Sequence, residues 1–129
     1  MRVQRARSYL LDFTKETLDE AIELLGDAVE LDPQYAVARA ALGSVLSERI
    51  MSGYSESIAD DEQRALEEAR LAHNSGANNP FVEKMCGLTW AYAGKTNDSI
   101  RALRRAVALA PFDFGAWGYL GWALVETGK

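Results

Sequence analysis

The stretch Pro80–Asp113, PFVEKMCGLTWAYAGKTNDSIRALRRAVALAPFD, decides how the chain is read. Its apolar residues recur at helical spacing on either side of Gly94-Lys95, and Pro111 closes it, so it predicts two short amphipathic helices joined by a tight turn. Moved 34 residues forward, Gly87 falls on Gly121 and Trp90 on Leu124. Moved backward, Gly43, Leu46, Ala65, Ala69 and Ala72 take the corresponding places. Small residues returning at a fixed period are the mark of a helix-turn-helix repeat array.

Working outward, Val3, Ala6, Tyr9, Leu10 and Phe13 predict a helix from Arg2 to Phe13, and Thr14-Lys15-Glu16 breaks the pattern. Thr17 and Glu20 form a capping box for the next helix, whose stripe runs through Leu18, Ile22, Leu25 and Val29 until Pro33 stops it. A helix follows from about Tyr35, with Gly43 in its middle. Glycine there costs roughly 1 kcal/mol relative to alanine, which a close helix crossing explains. The period then lengthens once. Gly43 to Gly87 is 44 residues, which puts ten extra residues into the turn of the second unit, around Gly53 and its serines. Both flanking helices are expected to lengthen, the second one ending with Gly76 at its C′ position. Thr96 or Asn97 is the expected cap of the helix after Gly94. The last helix takes Phe114, Trp117, Leu120, Gly121 and Leu124 without a following partner helix. The units are therefore 2–35, 36–79, 80–113 and a half repeat, 114–129.

The totals agree with one soluble all-α domain. The chain has 129 residues, 48% of them hydrophobic and 26% charged. No apolar run approaches the roughly 20 residues that span a bilayer, and the N-terminus has no secretory h-region. No membrane partner is expected. The single cysteine, Cys86, fits a reducing, cytoplasmic setting. Net charge is −5, distributed as −7 over residues 1–79 and +2 over 80–129. An acidic chain repels phosphate backbones, which argues against nucleic acid as a partner.

The array resembles the tetratricopeptide repeat family. The matching residues are Trp117, Leu120-Gly121 and Gly128 in the last unit; Cys86-Gly87, Trp90, Gly94, Ser99, Leu103, Ala106 and Pro111 in the third; and Ala21, Leu25, Ala28 and Pro33 in the first. Leu42-Gly43, Leu46, Ala65, Ala69 and Ala72 match in the second, which has Ala77 where proline is expected. The first unit departs, with Ser8-Tyr9 in place of Leu-Gly. The long second turn also resembles such repeats in bacterial nucleotide cyclases and winged-helix regulators. The resemblance implies a right-handed α-α superhelix of about three and a half repeats whose first helices line a concave groove. It implies a scaffold and no particular ligand. In that register Val37, Ala40, Ser44, Phe81, Lys84, Leu88, Tyr92, Gly118 and Trp122 face inward. The lysines and asparagines with which related chaperone-tail binders clamp a carboxylate are missing. An apolar helix or peptide is the expected ligand.

Catalytic readings are weak. Gly94-Lys95-Thr96 imitates a phosphate loop, but position 89 is threonine where the motif needs glycine, and a helix rather than a strand precedes it. His73 and Cys86 lack further ligands at metal spacing. Cys86 is expected in the core and His73 as an ordinary residue at a helix C-terminus. The acids Asp60-Asp61-Glu62 suit a helix start. No catalytic residue, metal or cofactor is expected. The last helix is the exception to a polar outer surface. Phe114, Trp117, Leu120 and Leu124, with Trp122 and Val125, give it more apolar surface than one neighbour covers. This predicts self-association through that helix, as a homodimer, or membership of a longer array.

Overall fold

The computed structural model describes residues 14–126. Six helices follow one another: α1 Lys15–Leu31, α2 Ala36–Met51, α3 Ile58–Gly76, α4 Pro80–Tyr92, α5 Thr96–Leu109 and α6 Phe114–Glu126. The chain is all-α among the described residues. The helix expected over 2–13 lies outside them.

Local chemistry sets most boundaries, in places differently from the sequence reading. The Thr14 hydroxyl accepts from the Thr17 backbone N–H at 3.1 Å. Thr14-Lys15-Glu16 is therefore the cap and first turn of α1, not a break, and the box placed at Thr17 and Glu20 begins one turn too late. Ser57 caps α3 by accepting from Asp60 N–H. Asn79 caps α4 through the N–H groups of Phe81 and Val82, with Pro80 behind it in the first turn. α5 has no side-chain cap. Lys95 holds the cap position, and Thr96 and Asn97 already lie inside the helix. The two tight turns use glycine at positive φ, Gly53 at 81° and Gly94 at 78°.

The ten inserted residues lengthen both helices as expected. α2 and α3 have 16 and 19 residues against 13 and 14 in α4 and α5. The far end of this longer pair is tied by Arg49. Its guanidinium meets Asp61 at 2.6 Å and Asp19 of α1 at 3.2 Å, while the Ser55 hydroxyl donates to Asp61 at 2.7 Å.

Helices pack on near neighbours in sequence. α1 packs on α2, α2 on α3 and α4, α4 on α3, α5 and α6, and α5 on α6, whereas α3 and α5 do not meet. Three apolar clusters follow this order: Ile22, Leu42, Leu46 and Ala65; then Ala40, Ala69, Ala72, Val82 and Cys86; then Leu103, Ala106, Val107, Ala116, Leu120 and Ala123. Close approach requires glycine at the crossings. A Cβ on Gly43 would stand 3.1 Å from the Ala65 carbonyl oxygen, and one on Gly87 2.6 Å from Leu103 Cγ. Gly76 is a third crossing and no C′ residue: it ends α3 inside the helix, where a Cβ would meet Ala36 Cβ at 2.6 Å.

Candidate functional site

α4 separates two surfaces. On the first, Phe81, Lys84 and Tyr92 lie on one side of the helix. Lys84 reaches Asp113 at 2.7 Å and stands 5.8 Å from the Phe81 ring centroid. The hydrogen bond from Lys84 holds the Asp113 carboxyl below the usual carboxylate range. Asp113 also accepts from Ala116 N–H, so one residue caps α6 and anchors it to α4. Further along, Tyr92 meets Trp122 edge to face at 5.5 Å and points its hydroxyl at Glu48 of α2, 3.5 Å away. Burial, then the Glu48 charge, raises the Tyr92 pKa.

The expected groove residues divide into two sets. Phe81 with Lys84, and Tyr92 with Trp122, form two separate pairs on this surface and keep exposed area. Val37 and Ser44 are half-buried, and Ser44 spends its hydroxyl on the Ala41 carbonyl. Gly118 is open, with nothing near its Cβ position. Ala40 and Leu88 do not line an open groove. Ala40 is 0% exposed because α4 covers it with Val82 and Cys86, and Leu88 is buried as well. Among the residues expected for self-association, Phe114 and Trp117 are exposed, at 77% and 47%. Leu120 turns the other way, into the cluster with Leu103 and Ala106, and Leu124 packs partly on that cluster. At about 100° per residue, Trp117, Gly121, Phe114, Val125, Gly118 and Trp122 fill the outer arc of α6. No charged side chain lies between Asp113 and Glu126.

The second surface is a cleft of about 950 Å³ between α3 and α5, which exists because those helices do not meet. Leu66, Trp90 and Ala102 give it an apolar lining. Glu83 lies at its base with 0% exposure. One of its carboxyl oxygens is hydrogen-bonded to His73 Nδ1 at 2.7 Å. The other has no hydrogen-bond partner, with Arg105 Nε 3.6 Å away. His73 also contacts Trp90, edge to face at 5.7 Å. His73 is therefore half of a polar pair, more than the terminal residue expected. Cys86 is in the core as expected. Its thiol donates to the Ala69 carbonyl at 3.3 Å, and burial pushes its pKa up to about 12, so it is no ready nucleophile.

No protein-family model matches the chain, and no curated protein matches it.

Among the described residues no group of acids, histidine and cysteine is arranged to hold a metal, and no helix is long and apolar enough to cross a membrane. Sequence reading passed over the Glu83–His73 pair, although one signal was present. Glu83 is a lone acid in the apolar run PFVEKMCG and stands four residues before Gly87, where Trp117 stands before Gly121. A charged residue at an interior helix position calls for a partner.

Proposed function

We propose that the chain is a non-catalytic protein-interaction module of tetratricopeptide-like repeats stacked as a right-handed α-α solenoid. In this reading it works as a cytoplasmic scaffold and takes an apolar helix, from a partner protein or a second copy, on the face shared by α4 and α6. The observation that carries the reading is the outer arc of α6, apolar from Trp117 to Trp122 and adjoining Tyr92. Surfaces of this kind mark interaction sites. The glycines support a helix seated there. Gly43 and Gly87 are each crossed by the following helix, whereas Gly121, at the same place in the period, has nothing within 4 Å among the described residues.

The test is light scattering on the purified chain, followed by screening of amphipathic helical peptides. Tyr92→Ala with Trp122→Ala should abolish self-association or peptide capture and leave helicity intact. A monodisperse monomer that captures no peptide and binds no apolar dye would refute the assignment. The lengthened α2–α3 pair favours a second reading, a regulatory or assembly segment of a larger bacterial signalling protein. A cyclase or DNA-binding domain in the same reading frame would decide for it.

A further inference from the structure

We propose that the α3–α5 cleft is a second binding site, distinct from the α4–α6 face, that takes an extended acidic peptide segment of a partner protein. Its charge is opposite to that of the whole chain. Arg70, Lys95, Arg101, Arg104 and Arg105 line it against Glu67, Asp98 and the buried Glu83, in a protein of net charge −5. Two of these cations are engaged only in exposed pairs one helical turn apart, Arg70 with Glu67 and Arg101 with Asp98. Such pairs contribute little, so an incoming carboxylate displaces them at small cost. Lys95 and Arg104 have no ion-pair partner among the described residues.

A second and independent observation is the orphaned oxygen of Glu83. A fully buried carboxyl oxygen without a hydrogen bond is rare and costly, and this one lies beneath the cleft with only Arg105 Nε near it, at 3.6 Å. Glu83 acts as a positioning residue. It holds His73 by Nδ1, which leaves Nε2 for other partners, and it stands within 3.6 Å of Arg105 Nε while the Arg105 NH2 group donates to the Ala77 carbonyl. Arg105 is thus placed but not saturated, and a ligand carboxylate supplies the acceptor its remaining N–H groups lack.

The dimensions fit a short extended segment. The walls run from Gln63 to His73 and from Lys95 to Arg105, each about 15 Å at about 1.5 Å per residue. That length holds four or five residues of extended chain at about 3.3 Å each. Alternating acidic and apolar residues would meet the arginines on one side and Leu66, Trp90 and Ala102 on the other.

The experiment is calorimetric titration of the full chain with a short peptide of alternating glutamate and leucine. Parallel titrations use the glutamine-for-glutamate peptide, inorganic phosphate and a single-stranded oligonucleotide of equal charge. Saturable binding of the acidic peptide alone, weakening as salt rises, is expected. Arg101→Glu with Arg104→Glu, both on the exposed side of α5, should weaken it about tenfold or more with unchanged circular dichroism. The lysine versions of the same two positions should retain most of the affinity. Tyr92→Ala with Trp122→Ala should leave it unchanged, which separates this site from the α4–α6 face. Equal binding of the glutamine peptide, preference for the oligonucleotide, or indifference to the charge reversals each overturns the proposal.

Discussion

The pairs α2–α3 and α4–α5 occupy equivalent places in the period but treat one interior position in opposite ways. Arg39 stands four residues before Gly43, as Glu83 does before Gly87. Arg39 donates to the Pro33 carbonyl at 2.8 Å and closes on both oxygens of Glu68 in α3 at 3.0 Å. In the last helix Trp117, at the same place, donates its indole N–H to the Pro111 carbonyl at 2.9 Å. Pro33, Ala77 and Pro111 each lie six residues before these side chains. At Glu83 the side chain makes no such bond, and the Ala77 carbonyl is served instead by Arg105 from α5. The carbonyl that closes each unit needs a donor. Where the usual position holds an acid, a neighbouring helix supplies one, and a carboxylate oxygen is left over. The first arrangement is closed; the second keeps an open polar corner under a cleft.

The largest test of this contrast is Arg39→Ala against Glu83→Gln. Losing Arg39 strands Glu68, itself buried, and should cost about 3 kcal/mol, as does breaking other buried pairs. Glu83→Gln keeps an acceptor for His73 and strands no buried charge, because Arg105 is half exposed, so it should cost less than about 1 kcal/mol. Urea unfolding of both variants measures the difference; equal losses would show that the two corners are not physically distinct.

Glycine-to-alanine changes give the next effect. Gly87→Ala pushes a methyl into Leu103, which is fully buried and hemmed in, and should destabilise by about 1–3 kcal/mol. Gly121→Ala meets nothing and should stabilise by up to about 1 kcal/mol through helix propensity. A loss at both positions would remove the case for an unfilled crossing on α6.

The smallest effect is a pH dependence at the Arg49–Asp61 contact of the α2–α3 pair. Burial pushes the Asp61 pKa up, but the hydrogen bonds from Arg49 and Ser55 outweigh it and leave the folded value below the ordinary one. The stability this carboxylate adds is therefore fully present above its unfolded pKa, near pH 4, and is lost as pH falls through the folded value. Chemical denaturation across this range should show the loss in wild type and a shallower one in Asp61→Asn.

The helix order, the lengthening of α2 and α3, the turn at Gly94 and the core position of Cys86 were legible because each rests on periodicity or on a residue with one strong preference. The start of α1 was not, since Thr14 and Thr17 both make acceptable caps and only tertiary burial of Leu18 chooses between them. Ala40 looked like groove and Leu120 like an outer contact because α-helical spacing assigns faces without saying which neighbour covers them. The cleft escaped the sequence entirely. It arises from a gap between α3 and α5, and a gap leaves no trace in the spacing of residues along either helix.

The Arg49 clasp at the far end of α2–α3 has a kinetic consequence. The turn after Met51 and the first turn of α3 are fastened by ionic and hydroxyl contacts, whereas Ala65, Ala69 and Ala72 lower down are fastened by apolar packing. Local opening of the upper end should therefore respond to ionic strength more strongly than that of the lower end, whose inter-helix ion pair, Arg39–Glu68, is more deeply buried than the Arg49–Asp19 contact. Amide hydrogen exchange at low and high salt would then split one continuous helix into two segments with different sensitivities, and the boundary would fall between Asp61 and Ala65.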